Sequence, residues 1–314
     1  GLERDKLKAE YNELMEQIAY YNRILNELDL RMQIIKDELI EVRDKFGDER
    51  RTLIDFAGGD MRMEDMIADE EVVITISHLG YVKRTALSEY KTQSRGGVGS
   101  RGATTRDEDF IEQVFVATNH NYLLLFTELG RCFWLRVYEI PEGNRTSKGK
   151  AIVNLINLPS DDKVRAYVNT RDLKDEAYVN SHFVVLCTSK GIIKKTSLNA
   201  YSRPRANGIN AIGVRDGDRL LEARLTDGTN EIVMAVRSGK AIRFPEAKVR
   251  PMGRNASGVR AMALDTDNDE VVGMVCASSD QDSILIVSEN GYGKRTLVED
   301  YRITNRGGKG VKTL

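Results

Sequence analysis

Cysteine, proline, histidine and tryptophan are scarce in this 314-residue chain, at three, five, three and one. Cys132, Cys187 and Cys276 lie far apart, each in an apolar run, with no C-x-x-C or zinc spacing. This excludes a disulfide scaffold and predicts three small core residues in a reducing compartment. His78, His120 and His182 are equally scattered, so no zinc site is expected. Long apolar runs are missing too. Nothing approaches the roughly 20 residues of a membrane span, and no secretory signal opens the chain, which points to a cytoplasmic protein. Because it starts at Gly1 and stops at Leu314 inside an apparent strand, the chain reads as a piece of a longer protein.

Nucleotide motifs are present only on paper. Gly97-Val98-Gly99-Ser100-Arg101-Gly102 satisfies G-x-G-x-x-G. That pattern carries chemistry only between a strand and a helix, whereas here charged residues and a strand-like run, Phe110 to Val116, follow it. Gly307 to Thr313 has lysine and glycine in the wrong order for a Walker loop.

The near-balanced charge hides an asymmetry. Residues 1–70 hold 11 Lys+Arg against 19 Asp+Glu, net −8, and residues 71–314 hold 36 against 29, net +7. A basic part of this kind favours a polyanionic partner.

Apolar residues at Leu7, Tyr11, Leu14, Ile18, Tyr21, Leu25, Leu28, Met32, Ile35, Leu39, Val42 and Phe46 alternate by four and three. This predicts a heptad seam over residues 1–47, with a break near Asn26 to Asp29, where Asp29 caps a second helix, and an end at Gly47. So long a seam calls for a partner helix. Residues 48–70 read as a linker, and from 71 to 314 the period changes to two.

Five times in that last region an apolar strand ends in a glycine turn and resumes with a second strand: VVITISHLGYVKRT, NYLLLFTELGRCFWL, HFVVLCTSKGIIKKT, EIVMAVRSGKAIRF and SILIVSENGYGKRT. The turn glycines are Gly80, Gly130, Gly191, Gly239 and Gly291, spaced by 50, 61, 48 and 52. A second glycine follows 19 residues later (Gly99, Gly149, Gly258, Gly310), or two residues earlier than that at Gly208. Such a repeat predicts a mainly β propeller or pinwheel with four short strands per repeat, four whole blades and the front of a fifth, behind the helical segment.

Before each second glycine lies a basic loop: QSRGGVG, NRTSKG, RPRANG, GRNASG and NRGGKG. Equivalent loops fall on one side of a propeller, so their charges add. The candidate binding residues are Gln93, Arg95, Gly96, Gly97, Gly99 and Arg101 in the first repeat, Arg145, Lys148 and Lys150 in the second, Arg203 and Arg205 in the third, Arg254 and Arg260 in the fourth, and Arg306 and Lys309 in the fifth. Arginine forks and glycine amides suit phosphate oxygens and position a duplex without reading its sequence. Bending DNA around such a rim costs several kcal/mol, offset by phosphate contacts that release counterions.

The order of heptad helix, IKDELIEVRDKFGDERRT, VVITISHLGYVKRTALSEY, glycine-arginine box, ATTRDEDFIEQVFVA and NGYGKRTLVEDY closely resembles the DNA gyrase A family, bacterial type IIA topoisomerases, over essentially the whole chain. The resemblance implies a coiled-coil arm and dimer-contact segment followed by a DNA-wrapping pinwheel, of six blades in that family. It also implies an A2B2 enzyme that introduces negative supercoils with ATP. Its partners would be double-stranded DNA, gyrase B and a second copy of gyrase A, with no membrane. The family's catalytic tyrosine lies upstream of this segment, and its ATP and Mg2+ are used by gyrase B. The chain would therefore hold no catalytic residue, metal or cofactor and would be inactive alone. The family box reads Q-R-R-G-G-K-G; Gln93, Arg95, Gly96, Gly97 and Gly99 match, while Ser94 and Val98 replace an arginine and a lysine. The fifth repeat keeps the lysine, Lys309, so wrapping is expected to be shared differently around the disc. The corresponding DNA-cleaving protein of topoisomerase IV, whose box is degenerate, is the nearest alternative. A protein-interaction propeller is more distant, since the repeated feature is basic and Trp134 is the only tryptophan.

Overall fold

A computed structural model describes residues 2–49, 52, 63–90, 95–96 and 102–313. The chain divides into two compact units, Gly1–Met61 and Arg62–Leu314.

In the first unit, α1 (Leu2–Asn26) and α2 (Leu28–Phe46) follow the heptad pattern. The break falls at Glu27, whose backbone is extended and whose side chain makes no capping bond. Asp29 therefore sits inside the first turn of α2 and is not its cap. The amide of Gly47 donates to the carbonyl of Arg43 at 2.6 Å and ends the helix. Every seam residue is about half exposed or more, from Ile35 at 49% to Phe46 at 71%.

The second unit is mainly β. Its strands in chain order are β1 (Glu71–Ser77), β2 (Tyr81–Ala86), β3 (Ile111–Thr118), β4 (Tyr122–Thr127), β5 (Arg131–Arg136), β6 (Lys150–Ala151), β7 (Val164–Thr170), β8 (Phe183–Thr188), β9 (Ile192–Ser197) and β10 (Ile209–Asn210). A short helix α3 (Glu176–Ser181) precedes β8. The remainder are β11 (Leu220–Thr226), β12 (Glu231–Val236), β13 (Lys240–Pro245), β14 (Val259–Arg260), β15 (Val271–Ala277), β16 (Ser283–Val287), β17 (Gly293–Leu297) and β18 (Val311–Lys312). They form four four-stranded antiparallel sheets, β3-β1-β2-β6, β7-β4-β5-β10, β11-β8-β9-β14 and β15-β12-β13-β18, and the two-stranded sheet β16-β17.

A blade is not, however, a repeat. Repeats two to four each supply four strands, as expected, but not all to one blade: the fourth strand of a blade is donated by the next repeat, so that β6 of repeat two pairs with β2 of repeat one. β10, β14 and β18 do the same for β5, β9 and β13. The donated strands have two residues each, too few to carry a hydrophobic period, while the hairpins keep the expected places. All five turn glycines adopt φ between +79° and +86°.

Core packing follows the two-residue period of each central strand. Leu123 and Leu125 of β4 pack with Ile74 and Ile76 of β1, whereas Leu124 and Phe126 pack with Val184 and Leu186 of β8. Val185 and Cys187 of β8 then join Ile232 and Met234 of β12. Each central strand thus buries both faces and reads as a continuous apolar run. β11 touches both β7 and β15, and each of the three lies at the end of its sheet opposite the donated strand, which places them innermost and puts the donated strands at the outer edge.

Residues 63–70 lie against this unit. The amide of His120 donates to Asp69 Oδ1 at 2.9 Å, and Asn119 Nδ2 donates to the Ala68 carbonyl at 2.9 Å. Arg136 pairs with Glu64. No helix among the described residues is long and apolar enough to cross a membrane, and no cluster of metal-ligating side chains occurs among them.

Candidate nucleic-acid interface

The basic loops of the second to fifth repeats are anchored to the hairpin of the preceding repeat through recurring positions. The fourth residue after a turn glycine reaches across: Arg84 Nε donates to the Ile140 carbonyl at 2.8 Å, and Trp134 Nε1 donates to that of Tyr201 at 2.9 Å. Arg243 Nη1 donates to the carbonyls of Val298 and Tyr301. At the same position Lys195 instead meets the fully buried carboxylate of Glu246 at 2.8 Å. The loop backbone then bonds along the hairpin, with Gly143, Met252 and Thr304 donating to Arg84, Lys195 and Arg243. Last comes the second glycine, pressed against the hairpin. A Cβ on Gly149, Gly258 or Gly310 would lie 2.6, 2.6 or 2.5 Å from a carbonyl oxygen of Val82, Ile193 or Ala241.

The third residue after the turn glycine separates two kinds of loop. Lys83 Nζ donates to the carbonyls of Asn144, Arg145 and Ser147 at 3.0, 2.9 and 2.9 Å while its side chain is buried. Lys194, fully buried, donates to the carbonyls of Ala211 and Arg254. Burial and the Arg254 guanidinium hold the Lys194 pKa down to about 8. Phe133 and Ile242 occupy the equivalent positions in the second and fourth hairpins. The sequence shows these lysines only as basic residues of hairpins; their burial follows from covering by a loop about 60 residues away.

The described candidate residues of the second to fifth repeats lie in or beside the loops that carry the donated strands at the outer edge. Lys148, Lys150, Arg203, Arg205, Arg260 and Lys309 are exposed, and Arg145, Arg254 and Arg306 are half-buried. Arg203, Arg205 and Arg254 come together around one open depression of about 430 Å³, with Ser197, Asn199 and Ser202 on its wall. Neighbouring loops are joined. The Gly213 amide donates to the Ala256 carbonyl at 3.2 Å, the Gly307 amide to Ala261 at 2.7 Å, and Arg306 Nη1 to the Arg260 carbonyl at 2.6 Å. Lys309 stands 3.5 Å from Asp265, which also pairs with Lys240.

The amides of Gly208 and Gly307 bond within the protein, so these two do not offer the free donors expected of the loop glycines. In the first box only Arg95 and Gly96 are described, both exposed; Gln93, Ser94, Gly97, Val98, Gly99 and Arg101 lie outside the described residues.

Sequence reading missed one further repeated device. Asp109, Asp162, Asp218 and Asp269 each accept a backbone amide of their repeat's hairpin turn, from Leu79, Leu129, Lys190 and Ser238 at 3.0–3.2 Å. The 27–32-residue spacing from each turn glycine was the available signal.

Residues 71–118, 121–166, 182–227, 230–278 and 282–314 match the family model described as DNA gyrase C-terminal domain, beta-propeller, hairpin by hairpin. The DNA gyrase A protein of Staphylococcus aureus is 45% identical over the whole chain, which spans 35% of that relative's length. Among solved structures, a DNA gyrase A C-terminal domain aligns with a TM-score of 0.62 at 27% identity, over 77% of this chain and 76% of that one. The C-terminal domain of a DNA topoisomerase IV aligns at 0.63 and 28%, over 78% and 73%. With these likenesses following the repeats one by one, the chain belongs to the DNA gyrase C-terminal domain, beta-propeller family.

Proposed function

We propose that this chain binds double-stranded DNA along the outer edge of its blades and bends it there, as the wrapping part of a DNA gyrase A protein. The observation that carries this reading is the joining of Arg203, Arg205 and Arg254 around one depression, continued through linked loops to Arg260 and Arg306. Guanidinium groups placed this way match the phosphates of a duplex and carry no base readout. In the complete enzyme, a dimer of gyrase A with gyrase B would use the wrap to set the hand of a DNA crossing before passing a strand. Cleavage would rest on a tyrosine outside this chain, and ATP and Mg2+ on gyrase B.

A topoisomerase IV role is the second reading, favoured by the loss of two charges at Ser94 and Val98 and by the similar structural likeness. Binding the chain to nicked circular DNA, sealing the nick and reading the topoisomers separates the two. A shift in linking number that fades steeply with salt supports wrapping. Tight binding with no shift supports the second reading, and no binding overturns both.

A further inference from the structure

The buried ammonium groups of Lys83 and Lys194 point their hydrogens at backbone carbonyls, whereas that of the buried Lys195 meets a carboxylate. Those of Lys83 meet three carbonyl oxygens from one loop, residues 144–147, the full complement that an ammonium can serve. Lys194 meets Arg254, which stands in its loop where Arg145 stands in the other, four residues before the second glycine. A carbonyl drawn inward turns the rest of its peptide, and the side chain beside it, into a defined direction. In loop 144–149 the turn is closed on its other side by Asn144, whose Oδ1 accepts from the amides of Thr146 and Ser147 at 3.0 and 2.9 Å. In the other loop the same ammonium ties Arg254 to Ala211, and so fixes Arg254 against the depression that Arg203 and Arg205 line.

Burial of an ammonium is expensive unless its hydrogens are bonded. Phe133 and Ile242 fill the same position in other blades, so an apolar side chain is compatible with the blade itself. What the lysines add is a hold on the carbonyls of the arginine-bearing loops. We infer that Lys83 and Lys194 are positioning residues for phosphate binding, holding Arg145 and Arg254 in their loops through the backbone without themselves meeting DNA.

This rests on the reading of the outer edge as a DNA-binding surface, and the test separates the two. Lys83→Met and Lys194→Met in the full-length protein, assembled with its partner, are compared with the unaltered protein for duplex affinity over a range of salt. The expected result is a salt slope shallower by about one phosphate for each variant, with the fold retained. Lys83→Ala and Lys194→Ala supply the second measurement. Propylammonium in the buffer restores affinity, and propanol, which fills the same space without a charge, does not. Unaltered affinity and slope in the methionine variants, or equal rescue by propanol, overturns the inference. If a methionine variant does not fold, the alanine variant refolded with propylammonium decides: recovered binding supports the inference, and a folded protein without binding overturns it. A failure of the unaltered protein to bind DNA would instead overturn the reading on which the inference rests.

Discussion

Replacing Gly258 by alanine would place a Cβ 2.6 Å from the carbonyl oxygen of Ile193, at a φ of +87° that a side chain rarely adopts. Neither fault relaxes cheaply, because the opposing atom is backbone of the preceding repeat's hairpin, held in the same sheet. The cost is expected at about 1–3 kcal/mol, read as a lowered Tm, and an unchanged Tm would show that the loop has room to move. Cysteine gives a residue-scale prediction of opposite sense. Burial pushes the Cys276 thiol up to about 12 and those of Cys132 and Cys187 well above their usual value. A raised pKa keeps each thiol neutral below that value, and the thiolate is the nucleophile. A thiol reagent at pH 8 is therefore expected to label the native protein slowly and all three groups on unfolding; rapid native labelling would contradict the burial.

Between elements, a buried ion pair crosses from one blade to the next. Glu246 is fully buried, accepts from Thr226 Oγ1 at 2.7 Å and from the Asn230 amide at 3.2 Å, and faces Lys195 at 2.8 Å. Glu246→Gln keeps the shape but leaves the Lys195 ammonium buried without its counter-charge. Such a break costs about 3–5 kcal/mol, so chemical denaturation should show a marked loss of stability; a loss under 1 kcal/mol, the scale of an exposed pair, would mean that water reaches the site. These cross-blade contacts also mark how far the sequence can be read. The five hairpins were legible because strand, turn glycine and strand recur within about 15 residues. The donated strands were not, since β6 pairs with β2 across about 70 residues and has only two residues of its own. For the same reason nothing in the local sequence marks Lys83 and Lys194 as buried, or Asp109, Asp162, Asp218 and Asp269 as partners of the hairpin turns. The basic loops, by contrast, were legible from repetition alone, although which arginines meet one another depended on the depth of each loop.

At the scale of the whole unit, charge is distributed unequally along the outer edge, and this bears on the expectation that wrapping is shared differently around the disc. Arg203, Arg205 and Arg254 share one depression, with no acidic side chain on its lining. In the fifth loop Arg306 is bonded to the Arg260 carbonyl and Lys309 stands beside Asp265, so part of its charge is engaged within the protein. Each phosphate neutralised contributes about −0.9 to the slope of log affinity against log salt. Changing Arg203, Arg205 and Arg254 together to alanine should therefore make the slope shallower by up to about 3, with little change in Tm because these side chains carry no core packing. Arg306→Ala with Lys309→Ala should produce a smaller change per residue removed, since Asp265 already balances part of the lysine. Equilibrium binding of a duplex long enough to follow the edge, measured at four or more salt concentrations, compares the two sets directly. If the fifth-loop pair changed the slope more than the three arginines did, the depression between the third and fourth repeats would not be the main anchor, and the path of the DNA would have to run nearer the fifth loop.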